Sequence, residues 1–189
     1  MASYTMHLAI AKLYLNIHKE EVEEDFYKGT TDVDDVKDKA LTHYSTNVDS
    51  QDVRIRMLSK VDIKKYVEEH SIKTSYDRGY FLHLLTDYFF YNNYFNYKDF
   101  EHMNVDEYDL LLYNEYDILN KHLLNKYEVK VPERLNKRYF EIHEGNLQIS
   151  TYESIDDFIE FMSNLDIDDL YSKIERSENI LYMYKRKEN

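Results

Sequence analysis

The 189-residue chain contains no cysteine and no tryptophan, and it has only three glycines and one proline. Without cysteine there is no disulfide, no thiolate metal ligand and no cysteine nucleophile, so any metal site must be built from His, Asp or Glu. The scarcity of glycine and proline removes the common helix breakers and permits long helices. The composition therefore favours an all-α fold.

Positive charge is also scarce. The chain has 24 Lys and Arg residues against 37 Asp and Glu, for a formal net charge of −13. Its densest basic run, residues 185–187, is three residues long. A phosphate backbone would be repelled by such a protein, so we predict no nucleic-acid partner.

No stretch of the sequence is long and apolar enough to predict a transmembrane segment. The densest apolar stretch, residues 80–95, carries His83 and Asp87 and falls short of the ~20 residues of a bilayer span. Residues 1–18 interleave apolar and charged residues and offer no small-residue cleavage site. We expect a single domain over residues 1–189, located in the cytoplasm.

Apolar residues recur at the three- and four-residue intervals typical of helices. The predicted helices cover residues 3–17, 20–27, 53–58, 62–70, 75–95 and 105–127, a segment that begins at Ser154, and residues 167–174. Ser3 is a candidate N-cap for the first helix, and Gly29 is expected to end the second in a left-handed conformation.

Two segments depart from the helical pattern. Residues 29–52 form a polar stretch without periodicity that carries His43, and a long loop inside a compact domain is usually functional. Residues 139–150 alternate β-prone and polar residues around Gly145, which predicts a small β-hairpin. The predicted fold is thus an all-α multi-helix bundle with one possible hairpin.

The strongest chemical signal lies in residues 79–90, which are apolar on every face of a helix yet contain His83 and Asp87. Residues four apart share one face. A buried carboxylate without a partner costs several kcal/mol, so Asp87 needs hydrogen-bond donors or a cation. Either His83 alone is that partner, or both residues bind a metal ion such as zinc.

Other ionisable residues favour the metal interpretation. His7 lies on the first predicted helix, and the polar stretch carries Asp32, Asp34, Asp35 and His43. If these segments meet at the central helix, three histidines and several carboxylates surround one point. Such a donor set suits a metal ion such as zinc.

Four short runs carry a family resemblance: residues 6–11, 29–34, 42–44 and 79–87. They resemble the bacterial zinc-dependent phospholipase C family, and more closely its small members in low-GC Gram-positive bacteria, which are distantly similar to P1-type nucleases. The resemblance covers about the first half of the chain. Its most specific part is His83-x-x-x-Asp87 preceded by Gly79-Tyr80.

The resemblance implies a helical bundle of the phospholipase C and P1 nuclease type, with up to three zinc ions that activate water against a phosphoester. The positions matching the family's principal zinc ligands are Asp34, His43, His83 and Asp87, while His7 matches a ligand of another ion, with Asp87 bridging. Asp32 is the alternative to Asp34, because the family's aspartate follows proline and Val33 precedes Asp34 here.

The sequence also departs from the family pattern. No tryptophan is present to supply the terminal amine ligand of the phospholipases, Asn93 stands where a further histidine is expected, and no later His-x-x-x-Glu pair occurs. The nearest substitutes are Glu115, Asp117 and His122. Of these, Asp117 is our candidate replacement ligand; a solvated helix aspartate is the competing interpretation.

The residues and the resemblance together predict a zinc-dependent, phospholipase C-like phosphoesterase that binds one or two zinc ions, with manganese or iron as substitutes. Its substrate would be a small-molecule or lipid phosphoester attacked by a water whose pKa the ion lowers. Asp34 or Asp87 would act as general base. The alternative is a non-catalytic relative with a structural or vestigial metal site, which serves as a binding or accessory protein.

Overall fold

The computed structural model describes residues 2–46 and 48–187, which form an all-α multi-helix bundle, as predicted. These residues include no β-strand. The helices are α1 (Tyr4–Ile17), α2 (Glu23–Asp32), α3 (Lys39–Thr42), α4 (Val53–Leu58), α5 (Ile63–Glu69), α6 (Ser75–Phe89), α7 (Val105–Lys126), α8 (Tyr152–Ser163) and α9 (Ile167–Glu175). Short 3₁₀ turns and one π-helical turn, Phe90–Tyr94, connect them.

Polar side chains define several helix starts. The Ser3 hydroxyl accepts the Met6 backbone N–H at 3.2 Å and caps α1, as its position in the sequence predicts. Helix α8 begins two residues before Ser154, because Thr151 is its N-cap and accepts the backbone N–H of Ser154 at 3.1 Å. Ser154 therefore lies in the first turn and does not start the helix.

The prediction that Gly29 ends the second helix is wrong. Helix α2 continues through Gly29, and no glycine among the described residues has a positive φ. A Cβ on Gly29 would overlap the Tyr76 carbonyl of α6, and a Cβ on Gly79 would overlap the Phe26 carbonyl of α2. The two glycines are needed because α2 and α6 pack backbone against backbone.

Gly29→Ala should therefore destabilise the protein by about 3 kcal/mol, because the steric overlap outweighs the gain of about 1 kcal/mol that alanine brings to a helix. Gly145→Ala is the matched control. Its Cβ would approach only the end of the flexible Ile118 side chain, at 2.7 Å, which can move aside. Urea denaturation measures both, and equal losses would contradict the close-packing explanation.

Residues 139–150 do not form the predicted hairpin. A 3₁₀ turn, Lys137–Phe140, is followed by extended chain whose backbone groups bond to side chains of α7. The Asn120 amide donates to two carbonyls of this segment at 2.8 and 3.1 Å, and the Glu115 carboxylate accepts the N–H groups of residues 148–150. The alternating pattern thus marks a segment bound to a helix, not two paired strands.

Helix α6 lies at the centre of the core. Phe81, Leu84, Leu85 and Phe89 are completely buried, and His83 and Asp87 are buried between them. The central position of α6 was predicted from its apolar residues on every face. No helix in the described part of the chain combines the length and apolar character needed to cross a membrane.

Candidate metal centre

Five ionisable side chains come together in the core where α1, α2, α3 and α6 meet. They are His7 on α1, Asp34 two residues after α2, His43 at the end of α3, and His83 and Asp87 on α6. Each is at most 3% exposed. We call them the His/Asp cluster; the predicted convergence of His43, His83 and Asp87 is observed.

The distances within the cluster are those expected between ligands of one ion. The Nε2 atom of His43 lies 3.3 Å from Nε2 of His83, 3.2 Å from Oδ2 of Asp87 and 3.6 Å from Oδ1 of Asp34. His83 Nε2 lies 3.7 Å from Asp87 Oδ2. Tetrahedral zinc with bonds of ~2.0–2.1 Å separates its ligands by about 3.3–3.4 Å. The observed spacing is close to that value.

Backbone carbonyls orient the two central imidazoles. His43 Nδ1 lies 2.9 Å from the Lys39 carbonyl oxygen, and His83 Nδ1 lies 2.8 Å from that of Thr30. A carbonyl only accepts, so each Nδ1 carries the hydrogen, which leaves Nε2 as the ring atom available to a metal ion. This is how a metal-binding histidine is usually held. The close packing of α2 on α6 supplies the Thr30 carbonyl.

Several cluster atoms are buried without a hydrogen-bond partner among the described residues: His7 Nδ1, His7 Nε2 and Asp87 Oδ2. His7 Nε2 lies 3.4 Å from Asp87 Oδ1, but the two are not aligned for a hydrogen bond. Buried polar atoms are nearly always paired, and an unpaired one costs about 1–3 kcal/mol. The cluster therefore has electron-pair donors to spare, and its buried His/Asp groups could hold a metal ion.

The electrostatic surroundings suit a cation. Burial alone raises the pKa of Asp34, but nearby positive charge, including the Lys39 ammonium 3.1 Å from Oδ1, outweighs it and holds the pKa below its usual value. Burial, followed by the adjacent His7, lowers the pKa of His83 to about 3. At neutral pH the cluster thus contains an ionised carboxyl beside an uncharged imidazole. A divalent ion bonds readily to both.

The remaining contacts fix the edges of the cluster. The Ala2 backbone N–H donates to Asp87 Oδ1 at 2.7 Å, and the Lys39 ammonium lies 3.1 Å from Asp34 Oδ1. The His7 ring stacks on the His83 ring with centroids 3.6 Å apart. His7 and His83 form one three-ligand group with Asp87, and His83 belongs to a second group with Asp34 and His43.

Asp34, and not Asp32, faces the cluster. Asp32 lies on the last turn of α2, where its side chain is 27% exposed and its Oδ1 lies 2.8 Å from the Arg134 guanidinium. The backbone turns after α2, and this turn sends Asp34 inward. Of the two aspartates that the sequence left open, the structure therefore places Asp34 in the cluster and Asp32 outside it.

The structure does not bring Asp117 to the cluster. Glu115, Tyr116, Ile118 and Leu119 form the buried side of α7. Asp117 turns away from that side, and its Oδ2 lies 3.4 Å from His143 Nδ1. The other two substitutes are also engaged elsewhere: Glu115 with residues 148–150, and His122 with Asp156 at 2.9 Å. None of the three completes a second set of ligands.

Four contacts of the cluster were not predicted: those of the Ala2 N–H, the Thr30 carbonyl, the Lys39 carbonyl and the Lys39 side chain. A weak signal existed for Lys39, which precedes His43 by four residues and would share its face in a helix. The polar composition of residues 29–52 concealed α3 and with it this relation. The backbone contributions carry no sequence signal, because any residue supplies them.

Comparisons of the chain with family models, curated proteins and solved structures find no match. The class of protein is therefore defined by its own architecture: an all-α protein with a buried His/Asp cluster that could hold a metal ion. The resemblance to the zinc-dependent phospholipases C stays a prediction.

Proposed function

We propose that this protein is a zinc-dependent phosphoesterase in which Asp34, His43, His83 and Asp87 bind one ion and His7 begins a second site. One observation carries the proposal. His43 and His83 point their Nε2 lone pairs at each other across 3.3 Å, with Asp87 Oδ2 3.2 Å from the first, while both Nδ1–H groups are engaged by carbonyls. Three electron-pair donors this close repel one another unless a cation lies between them.

Zinc suits this donor set. Two imidazoles and two carboxylates are a donor set that zinc accepts, and the chain has no thiolates to offer. Because two of the four ligands are carboxylates, the site could also bind manganese or iron, which accept oxygen ligands more readily than sulfur. The ion would lower the pKa of a water and polarise a phosphoryl oxygen.

Asp34 and Asp87 would have different roles in the reaction, one as general base and the other as metal ligand. Asp87 Oδ1 accepts the Ala2 N–H, and Asp87 Oδ2 lies inside the cluster, 3.2 Å from His43 Nε2. Asp34 lies at the edge of the cluster beside Lys39, whose side chain is 29% exposed and reaches solvent. Asp34 is therefore the better placed general base, because a proton accepted there has a route out. Asp87 would hold the ion.

A second candidate is a binding or accessory protein with a structural metal. It is favoured by the positions of Glu115, Asp117 and His122, none of which supplies ligands to a further ion. Efficient phosphoryl chemistry commonly uses two ions ~3.5–4 Å apart, and here the second site has only His7 and the shared Asp87 and His83. Turnover, where present, should be slow.

The test is an assay of zinc- or manganese-loaded protein against a panel of nitrophenyl phosphates and short-chain phospholipids. We expect slow hydrolysis that a chelator abolishes and either metal restores, with metal content near one ion per chain by elemental analysis. His83→Ala should lose both activity and metal. Equal rates in the variant and the parent would mean a contaminant, and bound zinc without turnover would establish the accessory role.

A further inference from the structure

A cavity of about 240 Å³ lies against the His/Asp cluster, with His43 in its wall. His43, which is itself 1% exposed, is the residue that the cavity shares with the cluster. The volume is below the ~300–1,000 Å³ typical of pockets for drug-sized ligands, so the cavity suits a small group. On the proposed function, this is where a substrate would approach the ion.

The charge of the cavity is opposite to that of the protein. Its wall includes Lys39, Arg56 and Lys60 but no aspartate or glutamate. The chain as a whole carries 37 acidic residues against 24 basic ones. A concave site lined by one sign of charge concentrates ligands of the other sign. The acidic surface would repel anions elsewhere, and this cavity would attract them.

Arg56 of α4 and Lys60, which follows α4, make no close ion pairs with the described residues. Arg56 Nη1 donates to the Val48 carbonyl at 2.8 Å and lies 4.0 Å from Asp49. Lys60 Nζ lies 3.8 Å from Asp109. Both ion-pair distances exceed hydrogen-bond length. The guanidinium has five N–H groups and the ammonium three, so both retain donors for a ligand.

Lys39 extends the positive charge to the cluster itself. Its ammonium lies 3.1 Å from Asp34 Oδ1 and 5.4 and 5.6 Å from the centres of the Tyr4 and Tyr139 rings. The two aromatic faces and the carboxylate hold the side chain in place. Positive charge thus continues from Arg56 and Lys60 to the edge of the candidate metal centre.

We propose that this cavity binds the terminal phosphate of a phosphomonoester, with Arg56 and Lys60 as its specificity-determining contacts. The inference rests on the proposed function and narrows its substrate class. A monoester phosphate carries up to two negative charges at neutral pH, because its second pKa is ~6, whereas a diester carries one. Arg56 and Lys60, which keep N–H donors free of close ion pairs, favour the dianion over diesters and over zwitterionic lipid headgroups.

The test compares 4-nitrophenyl phosphate with methyl 4-nitrophenyl phosphate on the zinc-loaded protein, Arg56→Gln and Lys60→Gln. Loss of one charge-assisted hydrogen bond should lower kcat/KM for the monoester about tenfold in each variant, and for the diester clearly less. Zinc content should not change. Lys64→Gln is the control, because Lys64 is exposed, lies outside the cavity and approaches only Glu68, at 4.0 Å.

Equilibrium binding of inorganic phosphate, by titration calorimetry, separates this inference from the proposed function. Weaker phosphate binding by about tenfold in Arg56→Gln and Lys60→Gln, but not in Lys64→Gln, supports the cavity even if no ester is hydrolysed. Hydrolysis with equal losses for both esters would overturn the substrate class and leave the phosphoesterase standing. Equal phosphate binding by the parent and all three variants would overturn the cavity.

Discussion

Asp87→Ala is expected to lose the bound ion and to cost about 3–5 kcal/mol of unfolding free energy. The substitution removes a ligand, leaves the Ala2 N–H without its acceptor and leaves His83 buried without its partner. Breaking a buried pair of this kind is strongly destabilising, and the free energy of metal binding is lost with it. Elemental analysis measures the ion, and urea denaturation measures stability.

Two further variants make this result interpretable. Asp87→Asn keeps an oxygen for the Ala2 N–H, so it should retain more stability than Asp87→Ala and still bind zinc poorly. Asp169→Ala removes an exposed aspartate of α9 that pairs with Lys173, and it should change neither quantity appreciably. Similar losses of stability in Asp87→Ala and Asp169→Ala, with zinc content intact, would make Asp87 a purely structural residue.

Removal of the ion from the parent protein should lower its melting temperature by about 5–10 °C. A ligand present at 100 times its Kd contributes about 2.7 kcal/mol, and 1 kcal/mol corresponds to roughly 2–4 °C in a domain of this size. Differential scanning calorimetry with and without a chelator measures the shift, and added zinc should reverse it.

His83→Ala provides the control for this measurement. The variant lacks the residue common to both three-ligand groups, so the chelator should leave its melting temperature unchanged. The same chelator shift in His83→Ala and in the parent would place the ion elsewhere in the protein. No chelator shift in the parent would argue against a bound ion in the folded state.

The central helix and its ionisable pair could be predicted because the relevant information is local. A segment that is apolar on every face must be buried, and the four-residue spacing of His83 and Asp87 then places both on one buried face. His7 and His43 were assigned from their segments and the family resemblance. Their presence in the cluster agrees with that assignment, although only the structure shows the distances.

Other parts depend on long-range contacts that local patterns do not contain. Gly29 was interpreted as a helix end, but its role is set by Tyr76, which belongs to another helix. Glu115 lies on the apolar stripe of α7, so its burial could be predicted from the spacing. Its hydrogen-bond partners could not be predicted, because they are backbone N–H groups of residues 148–150. Local spacing can therefore predict that a carboxylate is buried, but it does not identify the distant donors that bond to it.

The candidate ligands belong to four separate segments of a chain that has no cysteine. His43 and His83, whose Nε2 atoms lie 3.3 Å apart, are 40 positions apart in the sequence. An ion shared by these segments would act as a non-covalent cross-link of the folded chain, which stabilises it by binding the folded state and not, as a disulfide does, by restricting the unfolded one. Unlike a disulfide, this link would survive a reducing environment, so the protein could keep a cross-linked core where thiols stay reduced.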